Sequence, residues 1–526
     1  MNSPHLHRRV PLDIASITDM PRWRENLVWP ISHQEQHRVL SLQIQGLFNH
    51  ITGVADSFGR DVLLLGALQL MHTVRVLSEV VLTMQKGAAL GVHLVGDRPE
   101  LAFLRGEIHE ADFSLPPPSG ASPPKAAFLR RIVRTSSWTP WWRLAPVFMS
   151  PSAVAVSHNH LLCDAAGESP ERLVFHHAES WLAAARTRSG AKKPDLDVMA
   201  LARDLSALLA DIDGLNEPWK DRLRRLVLLL AGNFLTHAAS DLDALLRRDD
   251  LPSTLWSAGG CYYPARAVSL AVIRKGGTVR GFEHGGTPGF MEDKWMLAFG
   301  EFAPATEFVV STKAKAALTN LTRTAEMVRP LHSLKILHHR GDPVFRFPRK
   351  ERAARNQRPR VVYVSTALVG FRQLYPPLLP DVVYLDWQLR LVEFLKTLPV
   401  DLVCRPHPES IVPGIRHPLE DVATVAKGPF HKLREAGDIF IFDYPRTTSF
   451  WECLCTDKPV VFLNLNCEPF APEILTLMEN RCRFVAVNYD ERNLPQFDDK
   501  ILAQAIGDVH ESADPSPIRR LLAGTG

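Results

Sequence analysis

Residues 438–455 read DIFIFDYPRTTSFWECLC. The run DIFIF is short, apolar and rich in β-branched and aromatic residues, which suits a fully buried strand, and DYPR ends it with a turn. Three hydroxyl residues follow, Thr447, Thr448 and Ser449, of the kind that cap a helix by accepting from its free backbone N–H groups. A helix is expected from Thr448 to Cys455, and PVVFLNL at 459–465 returns as a second apolar strand. Strand, helix and strand in that order make a parallel βαβ unit, so the chain reads as α/β.

The same alternation continues upstream. RVVYVST at 360–366 reads as a strand, 381–398 as a helix and VDLVCR at 400–405 as a strand. An earlier series has TLWSA at 254–258, a helix over 262–275, TVRGFEH at 278–284 and EFVVS at 307–311. Two such series predict two Rossmann-like lobes, with a seam between 341 and 359. That seam carries seven basic residues (Arg346, Arg349, Lys350, Arg352, Arg355, Arg358, Arg360) and one acid, Glu351. The expected division is 1–345 as an N-terminal lobe with helical insertions, 360–500 as a second Rossmann-like lobe and 501–526 as a helical tail.

Before residue 254 the pattern is helical. Pro194 to Arg248 is rich in Leu and Ala at helical spacing and predicts two or three amphipathic helices. PPPSGASPPK at 116–125 cannot hold a helix or a central strand and is expected as an exposed loop. The apolar runs Val62–Met71 and Leu226–Ala231 are too short to span a bilayer, although Arg222, Arg224 and Arg225 beside the second leave peripheral membrane contact open.

Bulk properties narrow the classes. At 526 residues the chain exceeds one ordinary core, and 46% hydrophobic with 22% charged residues is the balance of a globular protein. A net charge of +4 gives no case for nucleic acid as a partner. Seven cysteines without a CxxC pair argue against a disulfide framework or a zinc site and fit a reducing cytoplasm. The N-terminus has no apolar stretch of the secretory kind. Three D-x-D strings, Asp195/Asp197, Asp211/Asp213 and Asp241/Asp243, lie in the helical region, where residues two apart point in different directions, so no metal site is expected.

Three motifs carry polar chemistry at predicted strand ends, where ligands of α/β sheets lie. Arg405-Pro406-His407-Pro408 fixes a guanidinium and an imidazole on a rigid loop. Arg446, Thr447, Thr448 and Ser449 stand at a helix N-terminus that suits phosphate, with Glu452 in the first turn. Glu283-His284-Gly285-Gly286 sets a carboxylate beside an imidazole, either of which can act as a general base, next to glycines that allow close approach.

The order E-H-G-G, R-x-H-P, then D-Y followed by hydroxyls and an acid resembles bacterial surface-carbohydrate transferases of the GT-B type, over residues 254–470. That group includes capsule Kdo transferases, bacterial sialyltransferases and the poly(glycerol phosphate) transferases of teichoic acid synthesis. The resemblance implies a nucleotide-activated donor held by His407, Thr447, Thr448 and Ser449, with Glu452 on the ribose; Arg405 and Arg446, read from their place beside these motifs, are expected to bind the donor phosphate. It implies an acceptor-side loop at Gly285 and Gly286 with the base Glu283 or His284, and a carbohydrate or lipid-linked acceptor met by the first lobe. The expected reaction is metal-independent, inverting sugar transfer without a cofactor, in the cytoplasm or at the inner membrane. Alditol-phosphate transfer from a CDP-alditol, 2-epimerisation of a nucleotide sugar and a non-catalytic carbohydrate-binding role are the alternatives.

Overall fold

The computed structural model describes residues 8–96, 98–110, 125–188, 195–292, 295–324, 332–347, 358–368, 379–408, 416–507 and 514–525. Most of the expected loop, 116–124, and most of the basic seam, 348–357, lie outside the described residues.

Strands β1 (Arg8–Pro11) and β2 (Val92–Val95) form a small parallel pair. The first large sheet contains β3 (Ala153–Ala155), β4 (Leu173–Phe175), β5 (Thr254–Ser257), β6 (Thr278–Phe282), β7 (Glu307–Val310) and β8 (Lys335–His338). The second contains β9 (Arg360–Val364), β10 (Asp401–Arg405), β11 (Thr424–Val425), β12 (Ile439–Phe442), β13 (Val460–Asn464) and β14 (Arg483–Ala486). Each is six-stranded, in the orders β4-β3-β5-β6-β7-β8 and β11-β10-β9-β12-β13-β14. Every pairing in both is parallel. The second order is that of a dinucleotide-binding Rossmann sheet, whose switch point lies between its first and fourth strands, here β9 and β12. In the first sheet the switch point lies between β3 and β5. Two Rossmann-like lobes are thus joined in one chain, the GT-B type of architecture.

The strands are buried runs because helices cover both faces of a parallel sheet. Ile439 to Phe442 is buried at every position. Between 194 and 248 the chain makes two helices, Val198–Ala210 and Glu217–Leu246, the second started by Asn216, whose side chain accepts from Trp219 N. They pack with the long helix Ser57–Ala89, capped by Asp56. No single described helix is long and apolar enough to cross a membrane. The two halves of Ser57–Ala89 meet that measure only together, and Val62, Leu63, Leu65, Leu70 and Leu77 within it are fully covered by protein. The basic flank is locally compensated: Arg222 donates to the Leu104 carbonyl at 3.0 Å, and Arg225 lies 3.1 Å from Asp221.

Among the described residues, three ties hold the lobes together. Phe290, from the loop after β6, is fully buried in the core of the second lobe, 4.8 Å from the Trp451 ring, and Met291 pairs its backbone with Phe470. The helix Ser516–Leu522 crosses back: Ser311 and Thr312 both donate to the Leu521 carbonyl, while Arg519 donates to the carbonyls of Phe347 and Cys455. Gly341, at φ +121°, lies so close to this tail that a Cβ there would meet the Ala523 carbonyl at 2.0 Å. Lastly, the N-terminal segment reaches the second lobe, where Arg24 pairs with Glu393 at 2.6 Å and Asp386 at 3.1 Å.

Phe290→Ala removes a large side chain from a seam that cannot collapse around the void. The expected loss is about 3–5 kcal/mol, read as a shift of the urea-unfolding midpoint. A shift within error of the parent shows that the seam does not depend on this ring.

Candidate functional site

Glu283 directly follows β6, and its N–H still pairs with the Val309 carbonyl, so backbone alternation continues through it. Its side chain therefore turns inward and that of His284 outward. Glu283 and Lys315 are both 0% exposed, with Lys315 Nζ 2.5 Å from the carboxylate. The other carboxylate oxygen accepts from Ser311 N at 2.6 Å. Lys315 Nζ also donates to the Gly286 carbonyl at 2.6 Å and lies 4.5 Å from the Phe290 ring centre. Burial lowers the lysine pKa, and Glu283 opposes the shift. Glu283 is thus no open base: its oxygens are held inside the protein, and its geometry is that of a group fixing the turn.

His284 is exposed, yet desolvation lowers its pKa while Glu283 pulls it up. Gly285 and Gly286 follow with φ of +74° and +79°, a region that a β-carbon makes costly. A Cβ on Gly285 would lie 3.3 Å from Thr448 Oγ1, so this turn of the first lobe abuts the hydroxyl turn of the second. On Gly286 it would meet Phe345 at 2.8 Å.

In the second lobe the hydroxyl turn stands after β12, at the switch point. Asp443, to which the D-Y motif assigns no role, is buried there and accepts from Tyr363 at 2.6 Å, Tyr384 at 2.9 Å and Trp387 at 3.0 Å. Burial pushes its carboxyl up to about 6, against those three bonds. Thr447 caps the helix Thr448–Leu454 by accepting from Phe450 N at 3.1 Å. Thr448 and Ser449 are half-buried, and their hydroxyls have no hydrogen-bond partner among the described residues. His407 lies half-buried just beyond the end of β10, the strand beside β9.

Three expected donor ligands have other partners. Arg405 donates to the carbonyls of Ala426 at 3.1 Å and Gly428 at 2.7 Å, pinning the loop after β11. Arg446 donates to Glu468 at 2.7 Å. Glu452 is paired with Arg434, whose guanidinium covers the Phe347 ring. These three side chains brace the rim instead of extending from it. Of the D-x-D aspartates, Asp197 caps a helix, Asp211 pairs with Lys220 at 2.6 Å, and Asp241 accepts from Arg186 and Tyr263.

Residues 157–159, after β3, were also missed. Asn159 donates to the Glu283 carbonyl at 2.8 Å, tying the first lobe's switch point to the E-H-G-G turn. His158 is exposed, stacks on Trp138 at 5.7 Å and lies 3.2 Å from the Cys163 sulfur. The available signal was the apolar run AVAV followed by the polar loop SHNH.

No family model matches the chain, and no curated protein matches it. Among solved structures it is similar to the crystal structure of Arabidopsis thaliana UGT89C1, at 14% identity and TM-score 0.31, covering 68% of this chain and 83% of that one. The assignment of the site therefore stands on the geometry of this chain.

Breaking a buried pair by removing one partner leaves an uncompensated charge, so Lys315→Met and Glu283→Gln should each cost about 3–5 kcal/mol. The double variant should recover much of that loss, and a cycle of denaturant melts measures the coupling. Purely additive losses would show the pair to be uncoupled.

Asp342 supplies a pH test. Its carboxyl, buried in the same seam near Glu283 and Lys315, is pushed up to about 7 from 3.8. The folded state holds a proton that the unfolded chain releases, so this group's contribution falls as pH rises between those values. Asp342→Asn should flatten that part of the stability profile, and an unchanged slope would assign it to other groups.

Proposed function

We propose that the chain is a group transferase that moves a sugar from a nucleotide-activated donor in the second lobe to an acceptor hydroxyl at the first. The observation that carries this reading is the meeting of Gly285, next to the exposed His284, with Thr448 across the lobes. His284 is the base. It takes the proton of the acceptor hydroxyl as that oxygen bonds to the anomeric carbon from the face opposite the departing nucleotide phosphate. The bond between sugar and phosphate breaks in the same step, which inverts the centre. His407, Thr448 and Ser449 receive the developing phosphate charge, and Thr447 holds their helix in place. Glu283 positions His284 through the turn that Lys315 fixes. No metal takes part in this scheme, and the acceptor is a surface carbohydrate or a lipid-linked one.

A base whose pKa lies below the ordinary 6.5 is already unprotonated at neutral pH. The acid limb of kcat/KM should accordingly fall below that value and vanish in His284→Asn. That variant should lower kcat by roughly 10² to 10⁴ with nucleotide affinity unchanged. Full transfer by His284→Asn sinks the assignment.

Donor binding is tested by thermal shift with CMP, CDP, UDP and GDP. A nucleotide at 100 times its Kd adds about 2.7 kcal/mol of stability. The shift should shrink in His407→Ala and Thr448→Ala, with the unliganded melting temperature retained. Absence of any nucleotide shift removes the donor cradle, and donor turnover without an acceptor would point to an epimerase.

A further inference from the structure

Six of the thirteen exposed large apolar side chains in the described residues fall between 128 and 149. They are Phe128, Leu129, Val133, Trp141, Trp142 and Met149, with Trp141 at 77% and Met149 at 85% exposure. Lone exposed apolar residues are ordinary, but a contiguous patch marks an interaction face.

The helix Ala127–Ser136 is turned inside out. Leu129 and Val133, one turn apart, share a strip open to solvent and Phe128 is exposed in the helix's first turn, while the polar side packs on the protein. There Thr135 is fully buried and accepts from Phe175 N at 3.0 Å, and Arg131 and Arg134 lie over the Phe148 and Phe175 rings. A core-facing helix has the opposite arrangement. This geometry makes sense only if the apolar strip meets something other than water.

Charge selects the partner. From Lys125 to Met149 there are five basic residues, Lys125, Arg130, Arg131, Arg134 and Arg143, and no acid. Lys125, Arg130 and Arg143 are exposed beside the apolar strip. An apolar face edged by Lys and Arg, with tryptophans at its border, suits the interface of an anionic bilayer.

Position links this face to the site. Trp138, on the same segment, stacks on His158 at the first lobe's switch point, and the adjacent Asn159 bonds to Glu283. We propose that Lys125–Met149 docks the first lobe onto an anionic membrane surface, with the acceptor-side rim turned toward the lipid. Docking itself requires only this face, whereas the naming of that rim as acceptor-side rests on the transfer reading.

The full-length protein is sedimented with vesicles of phosphatidylcholine, alone or mixed with phosphatidylglycerol. Binding to the mixed vesicles, weakened by added salt, is expected. A variant with Phe128→Ser, Leu129→Ser, Trp141→Ser and Trp142→Ser should bind at least roughly tenfold less, and Arg130→Glu with Arg143→Glu similarly less. All six residues are exposed, so melting temperatures should hold, and the charge variant decides the matter if the apolar one unfolds. Wild-type protein left in solution with the anionic vesicles, or variants that sediment equally, overturns the proposal. So does a wild-type dimer by light scattering that the serine variant dissolves while neither form binds vesicles, since a second copy then covers the face.

Discussion

A lysine buried without water needs a counter-charge and acceptors for its protons, and Lys315 finds them in Glu283 and the Gly286 carbonyl. That requirement fixes the path of the chain after β6. The carboxylate must come inward, the next side chain must go out, and two glycines must reverse the backbone so that a carbonyl returns to the ammonium. Phe290, lying against the same ammonium, is then delivered into the second lobe. One ion pair therefore sets the direction of His284 and one of the three ties between the lobes.

The other two ties make the seam a built joint. The tail helix is held by hydroxyls of one lobe and carbonyls of the other, and the N-terminal segment reaches Glu393 and Asp386. Motion between the lobes has to break or bend these contacts. Helix Thr448–Leu454 carries Trp451, which packs on Phe290, so the hydroxyl turn and the E-H-G-G turn share one hydrophobic seam. A shift of either turn is felt by the other.

The α/β class and both strand series were legible because a parallel sheet, covered on both faces, demands continuous apolar runs with turn signals between them. The strands β3, β4, β8, β11 and β14 were not, at two to four residues each, since so short a run has no period to read. At the site, the E-H-G-G and hydroxyl turns that the sequence points to are brought together by the fold, but the partner of each side chain was not legible. Strand alternation sends only one of Glu283 and His284 inward; choosing between them needed Lys315, 32 positions away. For Arg405, Arg446 and Glu452 the charge was visible and the partner was not. Ala426, Gly428, Glu468 and Arg434 lie 18 to 23 positions off, and a one-dimensional pattern cannot show that a charge is already satisfied.

A sequence can also conceal a surface by resembling a core. Residues 127–136 have the amphipathic pattern of a helix that buries its apolar side, and only the fold reveals that the polar side is the one covered. The reason lies in β4, an edge strand whose Phe175 N–H requires an acceptor that Thr135 supplies. Satisfying that edge turns the helix so that Leu129 and Val133 face outward. The covering of a sheet edge and the creation of an apolar outer face are thus one structural event, on the lobe whose rim carries both His158 and His284.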